Sequence, residues 1–373
     1  MSLAQLFPYS VWECWWLAPA ALIFDLWLGD PDLPWRHPVC AVGKLLEKLE
    51  APARNFMRAG GPEAERLRGR FAGAVALAVL VGCTGLVIWG LVCLPVLGGL
   101  LALYLAWAGL AMGSLLRTGR EVLRRVENCD EPEARAALSW LVSRDTSAMD
   151  RPLMRKTLAD TLSENLTDAF VAPFFWLLVG GPVAMWCYKA VSTTDSMWGY
   201  VTDKWRWLGW AGARCDDALA FIPARLSACA AWLADRCAVA LARLCGGREG
   251  SGWFARAGRL RRWSGRWSGR WSGRWPGRWP GLGVVARQAA GMPSPNSGWS
   301  MAACAWLCGA RMGGPSVYFG TLTPKPWLGP EPDEAAPWDH ARLLALCELL
   351  RYSALCGGLA VWLCAIVAGT SYL

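Results

Sequence analysis

The sequence contains little charge and almost no histidine. Charged residues make up 18% of its 373 residues and only two are histidines, whereas 54% are hydrophobic. Typical soluble domains contain about 25% charged residues, so this composition excludes a disordered chain and argues against an ordinary soluble enzyme. The mean hydropathy is +0.25, and we therefore expect an integral membrane protein.

The sequence also lacks the short motifs of several enzyme classes. No G-x-x-x-x-G-K-[ST], G-x-G-x-x-G or G-x-S-x-G occurs, which disfavours a P-loop nucleotidase, a Rossmann enzyme and a hydrolase with a nucleophile elbow. The 15 cysteines include no C-x-x-C pair, and many lie in apolar segments. We interpret them as small hydrophobic residues in a reducing or lipid environment.

Long apolar segments predict an all-α, polytopic integral membrane protein. A bilayer requires about 20 apolar residues per helix, and residues 71–94 and 96–116 are the clearest spans. Segment 11–29 is interpreted as a membrane helix although it carries Glu13 and Asp25, and 353–373 as the last span. Segment 169–191 is interrupted by Gly180-Gly-Pro, which allows a span, a re-entrant hairpin or a broken helix.

Two further apolar segments are less typical of spans. Segment 218–244 contains Arg225, Asp235, Arg236 and Arg243, which suits an interfacial or protein-buried helix. Segment 299–307 is short. The number of full spans therefore stays open between four and six.

The distribution of basic residues predicts the orientation. Residues 30–70 contain eight lysines and arginines and 117–167 contain nine, and these stretches flank the hairpin 71–116. Basic loops favour the cytoplasmic side, so both are expected there. The expected location is the cell (inner) membrane, with several passes and an active site facing the cytoplasm.

A low-complexity repeat defines the expected domain organisation. Arg-Trp-Ser-Gly occurs three times from Arg262 and Arg-Trp-Pro-Gly twice, ending at Gly281. The stretch 248–287 has ten arginines and one acid, which equals the whole net charge of +9. We expect 1–261 and 282–373 to form the membrane-embedded catalytic region, with 262–281 as an insert that contacts an anionic membrane surface or has no role. Because the basicity is local, we expect no nucleic-acid partner.

Four polar blocks between the apolar segments hold the candidate functional residues. Asp160, Glu164 and Asp168 follow one another at i, i+4 and i+8, which places three carboxylates on one helix face. No Lys or Arg follows them before the apolar run at Ala169, and oxygen ligands of this kind suit Mg²⁺. The alternative is a solvated acidic face. The other blocks are Asp25–Pro31 with His37-Pro, Lys189 to Arg225, and Ser294-Pro-Asn-Ser-Gly with Gly313-Gly-Pro.

Taken in order, these blocks resemble the CobD/CbiB family, the membrane adenosylcobinamide-phosphate synthases of cobalamin biosynthesis. The matching stretches run from residue 25 to residue 320, most of the chain. They are Asp25-Leu-Trp-Leu-Gly-Asp-Pro, His37-Pro-Val, Ser143-Arg-Asp-Thr-Ser, Ser163-Glu-Asn-Leu-Thr-Asp, Ala172-Pro, Gly180-Gly-Pro, Tyr188-Lys-Ala-Val, Thr194-Asp-Ser-Met-Trp-Gly-Tyr, Ala213-Arg-Cys-Asp-Asp, Ile222-Pro-Ala-Arg-Leu, Ser294-Pro-Asn-Ser-Gly and Gly313-Gly-Pro.

This chain departs from the family pattern in three places. Asp160 stands where the family usually has Glu, and Met292-Pro293 stands where an imidazole is usual. An imidazole at that place is therefore not essential if the enzyme is active. The Arg/Trp repeat has no family counterpart.

The resemblance implies an amide-forming (carbon–nitrogen) ligase. It would join adenosylcobyric acid, a corrinoid, to (R)-1-amino-2-propanol or its O-phosphate, with ATP and Mg²⁺ as cofactors. The expected partners are the lipid bilayer, these substrates and other cobalamin-pathway enzymes. The resemblance and the charge pattern suggest catalytic roles for Asp160, Glu164, Asp195 and Lys189, and metal binding by Asp160, Glu164 and Asp168, with Asp195 as a further candidate ligand. The candidates for binding substrate or phosphate are Asp30, His37, Arg144, Asp145, Asn165, Lys204, Asp216, Asp217, Arg225, Ser294 and Asn296, with Lys189 a further phosphate candidate.

Two other classes stay open. A non-enzymatic membrane sensor of the AmpE type would need neither the three spaced acids nor the Ser-Pro-Asn block. A cobalamin-pathway scaffold or transporter would have its polar groups in the middle of the spans, whereas the sequence clusters them at the ends.

Overall fold

The computed structural model describes residues 8–31, 37–59, 61–244, 277–318 and 320–370. Within these residues the protein is almost entirely helical, with two short two-stranded antiparallel sheets. The helices are α1 (Leu17–Leu28), α2 (Pro38–Arg58), α3 (Gly61–Val92), α4 (Gly98–Gly109), α5 (Met112–Asn128), α6 (Glu131–Ser139), α7 (Arg151–Leu166), α8 (Ala172–Trp198), α9 (Trp210–Leu219), α10 (Phe221–Leu244), α11 (Leu282–Ala289), α12 (Ser297–Cys308), α13 (His340–Tyr352) and α14 (Gly358–Thr370). Single π-helical turns lie at Thr167–Val171 and Ser353–Gly357.

The described residues contain four helices long and apolar enough to cross a membrane, or five if one bent pair forms a single span. They are Ala64–Val92, Gly98–Asn128, Arg151–Trp198 and His340–Ala368, and the pair Trp210–Leu219 with Phe221–Leu241, bent by 47°. The prediction of an all-α polytopic membrane protein is therefore confirmed.

The chain divides into two compact units. Unit 1 consists of Met1–Ala111, Asp168–Phe221 and Leu359–Leu373, and unit 2 of Met112–Thr167 and Ile222–Gly358. Each unit therefore combines stretches that are distant in sequence.

In unit 1, helices α3, α8 and α9 pack around an apolar cluster. Leu77, Val191 and Ala211 are buried there, and Val81 and Leu219 pack against them. Burying aliphatic side chains stabilises such an arrangement by about 25 cal/mol per Å² of apolar surface. These contacts hold the polar ends of α8 and α9 beside each other.

The first apolar segment is shorter than the sequence predicts. Residues 11–29 were expected to form one membrane helix, but α1 spans only the 12 residues Leu17–Leu28, about 18 Å at 1.5 Å per residue. The residues before it form turns, in which Val11 N–H donates to the carbonyl of Leu178 and Glu13 accepts from Tyr9 N–H at 3.0 Å. The carboxylate of Glu13 is therefore used to cap a turn and does not lie within a helix.

The predicted interruption of segment 169–191 is present. Gly180 and Gly181 have non-helical backbone angles inside α8, and Gly181 has φ +61°. A Cβ at Gly181 would lie 2.3 Å from the carbonyl oxygen of Pro8. Glycine is therefore required at this position both by the left-handed conformation and by the close approach of the backbone.

Unit 2 is built around α12. Ten of its twelve residues are buried, and it packs against α7, α11, α13 and the strands. Segment 299–307, too short for a span, is thus a central core helix. The strands β1 (Met312–Gly313) and β4 (Trp327–Leu328) pair with each other, as do β2 (Ser316–Tyr318) and β3 (Thr321–Thr323).

Most of the Arg/Trp repeat, residues 262–276, lies outside the described residues. Its last residues are part of unit 2. Gly277 N–H donates to the carbonyl of Leu307 at 2.9 Å, and Arg278 forms an ion pair with Glu334 at 3.1 Å while lying over the ring of Trp306. These contacts connect the last residues of the repeat to unit 2.

Candidate functional site

A buried ion pair forms the centre of the polar residues of unit 2. Arg144 Nη1 lies 2.7 Å from Asp160 Oδ2, and the two side chains are 6% and 0% exposed. Lys156, one helical turn before Asp160, places its Nζ 3.0 Å from the same oxygen. Asp160 is therefore neutralised by two cations, which corrects the expectation that the spaced acids lack such partners.

The loop Gly313-Gly-Pro supplies a third partner to Asp160. Gly313 N–H donates to Asp160 Oδ1 at 3.0 Å. Gly313 and Gly314 have φ of +72° and +73°, and a Cβ on Gly314 would lie 2.6 Å from the ring of Trp327. The Gly313 N–H thus binds a carboxylate of the protein itself.

Further cations and aromatic rings adjoin this pair. Arg144 Nε donates to the Tyr318 hydroxyl at 3.1 Å, and Lys325 Nζ donates to the same hydroxyl at 2.7 Å. Lys156 Nζ lies 5.2 Å from the ring centroid of Trp327, and the guanidinium carbon of Arg311 lies 4.4 Å from it. We call these residues the cationic cluster; its members are Arg144, Lys156, Arg311, Tyr318, Lys325 and Trp327.

Glu164 is the second acid of this group. It is half-buried, and the charges that act on it are those of Lys325, Arg144 and Asp160. The four cations of the cationic cluster thus face two carboxylates, those of Asp160 and Glu164. An anion is the ligand that such an excess of positive charge favours.

Asp160 and Tyr318 hold the Arg144 side chain and favour its charged form. Although burial opposes the charge, Asp160 and Tyr318 raise the pKa of the Arg144 guanidinium above its ordinary value. The adjacent Asp145 is exposed, and its pKa is lowered because its carboxylate accepts the Ser147 N–H at 2.9 Å. Asp145 thus caps its own turn.

Arg225 and Asn296 form a second pair in unit 2, which connects two of the stretches that resemble the family pattern. Arg225 Nη1 donates to Asn296 Oδ1 at 3.0 Å, and its guanidinium carbon lies 4.8 Å from the ring centroid of Trp299. Asn296 is buried, and its N–H donates to the Ser294 hydroxyl at 3.2 Å. Three of the predicted binding residues are thus brought together.

In unit 1, Lys189 lies near Asp25 and Asp30 of the first motif and near Asp168. Asp30, Asp168 and Asp25 act on it electrostatically, and Asp25 is fully buried. His37 adjoins this group. Burial and the charge of Lys189 lower the pKa of His37, while Asp30 opposes them.

The other acids of unit 1 lie near one another. Asp216 interacts electrostatically with Asp168, Asp195 and Asp217. Asp195 interacts with Asp217, and Arg214 Nη1 lies 3.6 Å from Asp217 Oδ2. We call Asp168, Asp195, Asp216 and Asp217 the carboxylate cluster.

Two predicted residues lie apart from these groups. Asn165 donates to the carbonyl of Thr161 on its own helix at 2.9 Å. Lys204 is exposed, 3.4 Å from Glu50 Oε1 and 4.3 Å from the ring centroid of Trp205.

Lys204 belongs to a basic collar at the N-terminal end of α3 in unit 1. Its cations stack on tryptophans of the loop after α8 and of α9 at centroid distances of 4.3–5.8 Å. Its members are Arg54, Arg66, Arg70, Lys204, Trp205, Arg206, Trp207 and Trp210.

The expected metal site at Asp160, Glu164 and Asp168 does not fit the geometry. Both oxygens of Asp160 are occupied by Arg144, Lys156 and Gly313, whereas a carboxylate ligand to Mg²⁺ needs an accessible oxygen. Among the residues that the structure describes, no three His, Cys, Asp or Glu side chains are placed to hold a metal ion.

Several residues of these groups were missed at the sequence level. Lys156 could have been found, because it precedes Asp160 by four residues and i, i+4 pairs face each other on a helix. Arg311 and Lys325 carry no local signal, since they approach the predicted residues only in the folded chain.

Comparisons with known proteins point to one family over most of the chain. A family model described as CobD/Cbib protein matches residues 18–347. The cobalamin biosynthesis protein CobD of Photorhabdus laumondii is 36% identical over 318 residues, 84% of this chain and 86% of the relative. CbiB of Salmonella typhimurium is 34% identical over 332 residues, 87% of this chain and 90% of the relative. No solved structure matches. The chain thus belongs to the CobD/Cbib protein family.

Proposed function

We propose that this protein is an amide-forming ligase of cobalamin biosynthesis. It would use ATP to join a carboxylate of adenosylcobyric acid to (R)-1-amino-2-propanol or its O-phosphate. A role in cobalamin biosynthesis is supported by family membership and by relatives named cobalamin biosynthesis protein. We also propose the inner membrane as its location, with the active site facing the cytoplasm.

The chemistry requires an anion site. A carboxylate does not react with an amine until one of its oxygens becomes a leaving group, and transfer of a phosphoryl group from ATP achieves this. The amine then displaces phosphate and loses a proton, leaving the amide. Fixed cations that meet the phosphoryl oxygens lower the barrier to such transfers, because they need no reorganisation during the reaction.

The cationic cluster is the observation that carries this proposal. Asp160, Tyr318 and Gly313 hold Arg144 and its surroundings in place before any ligand arrives. Lys325 is half-buried and contacts the Tyr318 hydroxyl, so its ammonium group is held by one hydrogen bond and retains donors for a phosphate. An ammonium group can donate three hydrogen bonds.

Substitution of Lys325 tests the proposal. We expect Lys325→Gln to lower the rate of amide formation by purified protein at least about tenfold, since loss of one fixed donor typically costs about 10²–10³ in kcat. Thermal unfolding should change little, because Lys325 pairs with a hydroxyl and not with the buried carboxylate. The matched control is Lys44→Gln, at an exposed position of α2.

The assay also separates the other function classes. Wild-type protein supplied with adenosylcobyric acid, ATP and each amine should form amide and consume ATP. Absence of any product, in protein that binds a corrinoid and is correctly folded, would contradict the ligase and favour a sensor or a transporter.

A further inference from the structure

Arg311 carries a guanidinium group that lacks an acceptor. The residue is half-buried in unit 2, and its Nε is enclosed without a hydrogen bond. No ion pair or hydrogen bond joins its guanidinium to any residue that the structure describes. A guanidinium presents five N–H donors in a planar fork that matches the oxygens of a phosphate or carboxylate. Because an unmade hydrogen bond at a buried donor is unfavourable, the arrangement favours a ligand that supplies the acceptor.

Two tryptophans hold Arg311 in place. Trp338 Nε1 donates to its carbonyl oxygen at 2.8 Å, and its guanidinium carbon lies over the ring of Trp327, 4.4 Å from the ring centroid. Trp327 belongs to β4 and lies opposite Gly313 of β1, the strand that Arg311 immediately precedes. A guanidinium that rests on an aromatic face keeps the N–H groups along its edge available. Arg311 is therefore positioned as a donor before any ligand arrives.

The neighbouring carboxylates serve other cations. Both oxygens of Asp160 already accept hydrogen bonds, and the cations that act on Glu164 are Lys325 and Arg144. The four cations of the cationic cluster thus exceed these two carboxylates by two charges. A phosphate group carries about 1.5–2 negative charges at pH 7, whereas a carboxylate carries one. The charge balance therefore favours a phosphate.

We propose that Arg311 binds a phosphate dianion at the cationic cluster through two parallel N–H···O bonds, with Trp327 as its positioning residue. Arg311 thereby supplements Lys325 as a donor to this anion. That the phosphate is the group transferred from ATP and then displaced by the amine rests on the proposed function. A lysine in place of Arg311 would keep the charge but lose the paired contact.

Calorimetric titration with inorganic phosphate tests the site without ATP or corrinoid. Purified protein is titrated at constant ionic strength with phosphate and, separately, with acetate, which carries a carboxylate. We expect the wild-type protein to bind phosphate more tightly than acetate. Arg311→Gln should weaken phosphate binding at least about tenfold, because hydrogen bonds between charged groups are roughly twice as strong as neutral ones. Arg311→Lys should weaken it severalfold.

Substitutions of Trp327 separate positioning from folding. Trp327 is 43% exposed, so its replacement leaves the core of unit 2 intact. Trp327→Phe keeps an aromatic face and should retain phosphate binding, whereas Trp327→Leu should weaken it severalfold, since an aliphatic side chain offers no face to a cation. The matched control is Arg287→Gln at an exposed position of α11. The melting temperature of each variant shows whether it is folded.

Three results would overturn the proposal. The first is wild-type affinity for phosphate in folded Arg311→Gln, and the second is an equal loss of affinity in Arg287→Gln, which would show that the effect is not specific to the site. The third is tighter binding of acetate than of phosphate, since the ligand would then be a carboxylate.

The outcome for Arg311 is separable from that of the ligase proposal. If Arg311→Gln loses phosphate binding but the wild-type protein forms no amide with ATP and adenosylcobyric acid, the ligase proposal fails while the phosphate site stands. If the wild-type protein forms amide and Arg311→Gln binds phosphate undiminished, the phosphate site is wrong and the ligase proposal stands.

Discussion

At the scale of single residues, the buried Arg144–Asp160 pair makes the stability of unit 2 sensitive to substitution of either member. Removing one member leaves the other charge buried without its counter-ion, which costs about 3–5 kcal/mol. We expect Asp160→Asn to destabilise the protein by this amount, because both Arg144 and Lys156 lose their carboxylate. Thermal unfolding of purified protein measures it, with the exposed Asp333→Asn as control. Equal melting temperatures would show that the pair is unnecessary for the fold.

His37 makes stability depend on pH. Its Nδ1 accepts the Val39 N–H at 3.3 Å, capping α2, and burial lowers the pKa of the imidazole. Between the folded pKa and the unfolded value of about 6.5, the unfolded chain binds more protons. The contribution of His37 is therefore fully present above about pH 6.5 and is lost as pH falls through the folded pKa.

A variant at this position isolates the effect. His37→Asn keeps a capping side chain but cannot titrate, so its melting temperature should fall less between pH 7.5 and pH 5 than that of the wild type. Parallel pH profiles for the two proteins would contradict the assignment.

At the scale of elements, the break in α8 depends on one glycine. Gly181→Ala requires a side chain in the left-handed region, which costs about 1–2 kcal/mol, and brings Cβ within 2.3 Å of the carbonyl oxygen of Pro8. We expect a clear loss of thermal stability. Gly90→Ala in α3 is the control, because its Cβ would meet open space, and alanine is the better helix former.

Helices and their interruption could be predicted from the sequence because they depend on local properties. Apolar length predicted α3 and α14, and the pair Gly180-Gly181 predicted the break in α8. Segment 11–29 was wrongly predicted as one helix, because its first half is held by Val11 bonding to Leu178, a contact distant in sequence. The short strands that carry Gly313 and Tyr318 were also missed, since each has only two or three residues.

The sequence indicated candidate residues for the site, but it did not indicate which side chains contact each other. Arg144 was selected as a phosphate ligand and Asp160 and Glu164 as metal ligands, whereas the structure places an ion pair between Arg144 and Asp160. The carboxylates of α9 were selected as substrate ligands without any sign that they lie beside Asp168 and Asp195. Such pairings depend on helix packing, which a single sequence does not reveal.

At the scale of the whole molecule, the basic collar bears on orientation. In unit 1 the loop after α8 packs on the N-terminal end of α3, where a Cβ on Gly73 would meet the carbonyl oxygen of Leu208 at 2.0 Å. The basic residues of 54–70 and those of 204–206 therefore lie at one end of α3. This supports the hypothesis that both face the cytoplasm, since basic residues favour that side.

Cysteine labelling tests this orientation. In a variant cleared of native thiols, Ser196→Cys lies at the exposed end of α8, and Leu94→Cys lies in the turn at the opposite end of α3. We expect a membrane-impermeant maleimide to label Leu94→Cys in intact cells, and Ser196→Cys only after permeabilisation. Labelling of Ser196→Cys in intact cells would place the C-terminal end of α8 outside.

The basic collar also predicts which lipids are enriched around the protein. Arginines and lysines that are stacked on tryptophans at the end of a membrane span keep donors directed outward, and each attracts anionic headgroups by about 1 kcal/mol. Six aromatic contacts in the collar hold five such cations in place. The lipid in contact with unit 1 is therefore expected to be richer in anionic phospholipid than the bulk bilayer. The protein itself thus influences the composition of the lipid that solvates it.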